Sequence, residues 1–394
     1  MQISLNPWDV TAQGIKAAPI YGYNMKFKPF HVLIAYLTAE ILAFTFFMPF
    51  VYNIGTTDHN ILLYFVLAYS TACVFFGLSK KIPTKQAITS AFILRIITVT
   101  ILAFLVNKIN LPFLGLITGI SLFLFWAPFN YTYFLAMKEG NATGSWKYAF
   151  LGSMLNVILP IISGLISIYT GLRYLFLISI PIYIVGVYIA SKTEWKPLDY
   201  SLSNALKRYS GLRTLAFLEG FWQPLYFIGI PLITATYLRN NMHYGEFFAF
   251  LGITSGLASY VMAKYSDRTQ KRKSFVYTIA FLLALTSILV TFHKEFWQWQ
   301  ILAGAMYFLQ PMAVTFFLAM ILDKKDKRIL RECIVAREYI LNLGRAFGAL
   351  VIIFFWLYSN ILYSFLVLGM AMLIYPFFVK LKKIYPAETA NVPD

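Results

Sequence analysis

The chain has 394 residues, of which 59% are hydrophobic and only 12% charged, and its mean hydropathy is +0.68. A protein so composed has too little polar surface to cover itself in water, which excludes a soluble globule. Its 33 Lys and Arg against 16 Asp and Glu give a net charge of +17, which alone would suit nucleic acid, but long apolar runs point to a membrane instead.

Crossing a bilayer core takes about 20 mostly apolar residues per helix. The sequence predicts twelve such spans, at about 30–53, 61–79, 87–107, 110–137, 148–170, 172–191, 213–238, 245–265, 274–293, 297–321, 333–357 and 360–380. No small-residue cleavage pattern accompanies the first, so it reads as a permanent helix. Lys108, Arg173, Arg239 and Lys294 fall on one side, and Arg95 and Arg345 stay within spans. All the other Lys and Arg, Arg337 included, fall in the alternate segments that begin with the N-terminus. Cytoplasmic loops retain basic residues, so both termini are expected in the cytoplasm of a multi-pass plasma-membrane protein.

The longest interruption, rich in charge, divides the chain into a six-span half at 1–191, a cytoplasmic linker at 192–212 and a second six-span half at 213–394. An even number of spans sends both halves into the membrane in the same sense, a parallel repeat. After span eight the run AKYSDRTQKRK places Asp267 and Arg268 ahead of Lys271, Arg272 and Lys273, and the loop after span two, GLSKKIPTKQ, keeps Gly77 with Lys80, Lys81 and Lys85. These runs resemble the loop signature of the major facilitator superfamily, although Ala263 and Gln270 replace its glycines and the first loop lacks the Asp. The resemblance implies an all-α fold of twelve transmembrane helices in two halves, with Gly77, Asp267, Arg268, Lys271 and Arg272 in a gating loop. Span five, with Gly152, Asn156, Pro160 and Gly164, looks like the superfamily's Gly/Pro-rich fifth helix, where small residues permit close packing. Span eleven sets Glu338, Asn342 and Arg345 on one face with Gly344 and Gly348 beside them, and is similar to poorly characterised bacterial and archaeal members.

An ionisable side chain inside a span costs at least about 2.5 kcal/mol by insertion scales, which singles out Glu40, Arg95, Glu219, Glu338 and Arg345. Glu40 in span one and Glu219 in span seven hold equivalent places in the two halves. The resemblance puts the first and fourth helices of each half around a central cavity. Each carboxylate there is a candidate proton acceptor, or else neutralises Arg95 or Arg345 across helices. Asn342 is placed to bridge Glu338 and Arg345, which lie about 10.5 Å apart along the axis, and Glu338 alternatively snorkels toward the cytoplasm. Trp126, Asn130, Tyr131, Gln223 and Gln310 are the candidate cavity-lining residues, the two glutamines each preceding a proline that frees a backbone carbonyl.

Cys73 and Cys333 lie far apart without CxxC spacing, and His31, His59, His243 and His293 sit near span ends without HxxxH spacing, so no metal or other cofactor is expected. Neither a nucleotide-binding GxxxxGK[ST] run nor a nucleophile paired with a base appears, which argues against an enzyme. The expectation is a monomeric secondary transporter that moves a small-molecule substrate by alternating access among membrane lipids, with protons as the coupling ion and no nucleic-acid partner. Export of an amphipathic compound and import of an anionic solute both fit, the second because Arg95 and Arg345 would favour an anion. From another class, a sensor or scaffold that keeps the fold without transport also fits.

Overall fold

The computed structural model describes residues 28–55, 57–105, 110–136, 141–269, 272–324 and 329–381. Among them the chain is almost wholly helical. The first run is broken in two, α1 (Lys28–Phe44) and α2 (Phe47–Asn53). Pro49 has no N–H to return to the Thr45 carbonyl, so the ladder is interrupted there, and Thr45 turns its hydroxyl back to the Ile41 carbonyl at 2.7 Å. Then follow α3 (Asp58–Leu78), α4 (Thr84–Phe104), α5 (Asn110–Ala136), α6 (Asn141–Thr170) and α7 (Arg173–Lys192). Gly171, at φ +95°, separates α6 from α7, a left-handed position that a side chain would strain.

The later helices are α8 (Leu202–Arg208), α9 (Arg213–Trp222), α10 (Ile230–Tyr237), α11 (Asn241–Thr269), α12 (Arg272–Val290), α13 (Phe296–Lys324), α14 (Leu330–Tyr358) and α15 (Leu362–Leu381). Between α9 and α10 the chain widens into a π turn over Leu225–Gly229. Pro224 and Pro231 each remove a donor from this stretch, so the seventh run is broken as the first is. Nine runs among the described residues are long and apolar enough to cross a membrane, and α11, α12 and α13 stand outside that set. Large apolar side chains such as Phe104, Ile184 and Tyr188 point outward, an arrangement that suits hydrocarbon surroundings and would be a liability in water.

The packing repeats itself. α3 packs on α5, α4 on α5 and α7, and α1 on α6 and α7; correspondingly α11 packs on α13, α12 on α13 and α15, and α9 on α14 and α15. Between the two sets α6 runs along α11 and α3 along α14. The α6–α11 seam is a backbone contact. A Cβ on Gly252 would lie 2.5 Å from the Asn156 backbone, and one on Gly245 2.5 Å from the Pro160 carbonyl. Ser153 and Ser255 share a 2.7 Å hydrogen bond across it. At the α3–α14 seam a side chain meets backbone, the Cys73 thiol donating to the Tyr339 main-chain carbonyl at 3.5 Å.

The segment that joins the two sets is folded, which its composition did not suggest. Residues Lys81–Ile82 (β1) pair antiparallel with Leu198–Asp199 (β2), so that Lys81 faces Asp199. Thr84 donates to the Lys196 carbonyl at 2.6 Å, and the Tyr200 amide and hydroxyl reach the carbonyls of Lys80 and Phe76 at 2.9 and 3.2 Å. α8 then packs against α14. Burial pushes the Tyr200 phenol's pKa up, only partly offset by the Ser79 side chain, so it stays a donor.

Candidate functional site

A cavity of about 400 Å³ lies between the two sets of helices. Its walls come from α1 to α6 on one side and from the π turn, α10, α11, α13 and α14 on the other. They are largely aromatic, with Tyr36, Tyr64, Tyr69, Trp126, Tyr226 and Tyr307 among them. Tyr226 stacks on Tyr307 with ring centroids 3.9 Å apart. The charged lining residues are Glu40, Arg95 and Arg345.

Two buried charge clusters flank this space. In the first, Arg95 on α4 holds both carboxylate oxygens of Glu40 on α1 through Nε and Nη2. This is the fork geometry in which a guanidinium matches a carboxylate. Tyr183 on α7 donates to Glu40 Oε1 at 2.6 Å, and Arg95 Nη1 reaches Thr118 Oγ1 at 3.3 Å. The Phe44 ring covers the guanidinium, with Arg95 Cζ 4.4 Å from its centroid. Both line the cavity, and Glu40 is the more open to it: its side chain is 17% exposed against 5% for Arg95.

The second cluster is built on α14. Arg337 Nη2 donates to Glu219 Oε1 at 2.6 Å and its Nη1 to Glu338 Oε1 at 3.3 Å, all three side chains being buried. Asn130 on α5 donates to the same oxygen of Glu338 at 3.1 Å. Gln223 Nε2 donates to Glu219 Oε1 at 3.3 Å, while its carbonyl oxygen accepts from Arg345 Nε at 2.7 Å. Asn342 donates to the Glu338 backbone carbonyl at 2.8 Å and accepts from Arg345 Nη1 at 3.2 Å, so it spans the interval between them. α14 can approach α9 closely because Gly344 and Gly348 lie against the Phe217 and Phe221 carbonyls and Gly220 against Leu341.

The sequence expectations divide accordingly. Glu40 pairs with Arg95, but Glu219 pairs with Arg337 rather than Arg95 or Arg345. Arg337, counted from sequence as a loop residue, is 7% exposed and inside α14; its adjacency to Glu338 was the available signal. Glu338 is buried, not snorkelled outward. Of the candidate lining residues, Trp126 is on the cavity wall. Asn130 is consumed by Glu338, Tyr131 packs beside Phe134, Leu330 and Ile334, and Gln223 and Gln310 border a much smaller space of about 10 Å³ next to Glu219. Gly152 and Asn156 line the main cavity, while Pro160 meets Gly245 and Gly164 lies against Asn241. Gly77 is exposed and has no close neighbour at its Cβ position. The side chains of Asp267, Arg268 and Arg272, and Lys271 altogether, lie outside the described residues. Tyr183, Thr118 and the Tyr226–Tyr307 stack were not singled out from sequence, since 37 Phe and 27 Tyr give any one aromatic little weight.

Helices packed in two matched sets around a central cavity define a fold of the major facilitator type. Two solved transporters share it. The chain superposes on the human organic anion transporter MFSD10 (TETRAN) with a TM-score of 0.60 at 12% identity, covering 89% of this chain and 99% of that one. On the nucleoside transporter NupG, solved as a point mutant, the TM-score is 0.63 at 10% identity, covering 90% and 99%. No family model matches the chain, and no curated protein sequence does.

Proposed function

We propose that the chain is a secondary active transporter that carries a small solute through the membrane by alternating access, coupled to protons. The observation that carries this is the cavity of about 400 Å³ between the two sets of helices, with a carboxylate, Glu40, on its wall. Counting α11, α12 and α13, each 19 residues or longer, alongside the nine apolar runs supports a reading of twelve spans. The repeated packing supports two halves, 1–191 and 213–394, joined by a linker at 192–212. The distribution of Lys and Arg supports cytoplasmic termini in a plasma membrane. We take the transporting unit to be one chain, since residues of one chain suffice to wall the cavity on both sides.

Glu40, Glu219 and Glu338 are the carboxylates available for the proton. Glu40 has the readiest access, because it alone among them borders the cavity. Protonating it would release Arg95 from its fork and change the balance between the two orientations of the halves. The experiment is solute uptake into proteoliposomes under an imposed pH gradient. Wild-type protein is expected to accumulate solute in response to the gradient. Glu40→Gln should lose that response and keep solute exchange at equal pH. Flux that ignores the gradient in wild type would end the coupling proposal, and absence of flux for every solute class would end the transport one.

A further inference from the structure

The three arginines around the cavity differ in how their charge is used. Arg95 is held by Glu40 and Arg337 by Glu219 and Glu338. Arg345 is bonded only to neutral amides, Gln223 at 2.7 Å and Asn342 at 3.2 Å. Among the described residues no carboxylate lies within ion-pair distance of it. Its Nε and Nη1 are fixed by those two bonds, and Nη2 makes no bond to the protein while the side chain borders the cavity. Two amides thus hold the guanidinium plane in place and leave Nη2 without a protein acceptor on a residue of the cavity wall. The unused donors of a guanidinium held in this way suit a carboxylate or similar planar acid group.

The surroundings narrow the class of ligand. The lining carries two guanidiniums, Arg95 and Arg345, and one carboxylate, Glu40, which Arg95 holds. Glu219 and Glu338, which share Arg337 behind the wall, reach Arg345 only through the amides of Gln223 and Asn342, so its charge is answered by no carboxylate in contact. An ammonium finds no unoccupied carboxylate there, because Glu40 already accepts from Arg95 and Tyr183. A small inorganic anion would lose its hydration against aromatic walls with the donors of Arg345 alone to replace it. An organic body would be favoured by the same walls. Tyr226, three residues beyond Gln223, stacks on Tyr307. The Tyr69 ring lies 5.9 Å from Arg345 Cζ, and Trp126 and Phe248 complete the apolar surface. A cavity of about 400 Å³ is in the range that encloses a small organic ligand.

We propose that Arg345 anchors the acid group of an organic monoanion whose ring-bearing or aliphatic body lies against Tyr226, Tyr307 and Trp126. The proposal deepens the transport reading by naming the substrate class of the same cavity. It is tested on the full-length protein in lipid nanodiscs with naphthoate, naphthamide and naphthylmethylamine, which match in size and differ in charge; benzoate and hexanoate vary the body. Binding is read as the shift in thermal unfolding temperature with ligand concentration.

At least one of the carboxylates is expected to stabilise wild type at millimolar concentration or below, with the matched amide and amine at least about tenfold weaker, or about 1.4 kcal/mol. Arg345→Gln should erase the preference for the carboxylate, and Arg345→Lys should keep it at lower affinity. Gln223→Glu, which supplies Arg345 with an internal carboxylate, is expected to abolish carboxylate binding. Because it also replaces a donor to Glu219 by a like charge, each variant's ligand-induced shift is read against its own unliganded unfolding temperature, and the retained carboxylate preference of Arg345→Lys separates loss of the anchor from a folding defect. The proposal is overturned if no carboxylate binds, if amide and carboxylate bind wild type alike, or if Arg345→Gln and Gln223→Glu retain the preference. Carboxylate binding without flux in proteoliposomes would leave the anchor standing and remove the transporter. Flux of amine or amide with no carboxylate binding would do the reverse.

Discussion

Glu219 and Arg337, 118 residues apart in the chain, meet at 2.6 Å where α9 crosses α14. Arg337 also answers Glu338, so one guanidinium stands between two buried carboxylates. Arg337→Gln would leave both without their closest positive charge. Unpairing a buried ion pair costs about 3–5 kcal/mol, and unfolding temperature in detergent should fall accordingly. The double change Glu219→Gln with Arg337→Gln removes both charges and should recover part of the loss; a double variant no more stable than Arg337→Gln would show that the pair is not the reason.

Tyr183→Phe removes one donor to Glu40 and nothing else of comparable size. A hydrogen bond to a charged group contributes about 1.5–3 kcal/mol. The variant is expected to lose stability on that scale, while Tyr69→Phe, whose hydroxyl bonds neither Glu40 nor Arg95, loses less. Chemical denaturation of the two variants side by side decides it.

Gly252→Ala tests the α6–α11 seam. Its new Cβ would fall 2.5 Å from the Asn156 backbone, which cannot yield as a flexible side-chain tip would. Overpacking of this kind costs about 1–3 kcal/mol. Gly256→Ala is the control, because the nearest atom to its Cβ position, on Ser153, is 3.9 Å away. Equal stability of the two variants would contradict the seam as described.

The clasp between β1 and β2 predicts a pH dependence. Burial raises the Tyr200 phenol above its ordinary value, so the folded state favours the protonated form. Its contribution is therefore fully present below the unfolded phenol's pKa of about 10 and is lost as the pH climbs beyond it. Proteolysis between residues 192 and 201 should be slow from neutral to mildly alkaline pH and accelerate only above that point. Thr84→Val, which removes the bond to Lys196, should accelerate it at neutral pH as well.

Spans and their breaks were legible to different degrees. Apolar length marks a helix directly, so α3, α4, α5 and α7 lie within a few residues of their expected bounds. Neither break is announced by the sequence: Gln223–Pro224 reads only as freeing a carbonyl toward the cavity, the same pair at Gln310–Pro311 leaves α13 unbroken, and Pro49 passes unremarked among uniformly apolar neighbours. Arg337 was lost for a related reason: five residues into a span, a charge reads equally as loop or interior, and only the position of Glu219 on another helix decides it. The two-residue strands had no alternation long enough to detect. Side-chain partners across helices, such as Tyr183 for Glu40, depend on helix rotation, which composition does not encode.

The linker's length has a mechanical consequence. Fully extended, residues 192–212 would reach roughly 70 Å at about 3.3–3.6 Å per residue, ample slack for any relative movement of the helices it joins. Folded, that slack is taken up: β2 is fastened to β1 beside α4, and α8 rests on α14. The segment is a short stay rigged across the mouth between α3 and α14. Parting those helices on this side must first unfasten the Thr84, Tyr200 and strand hydrogen bonds or lift α8 away, whereas a pivot that keeps this mouth shut leaves the stay untouched.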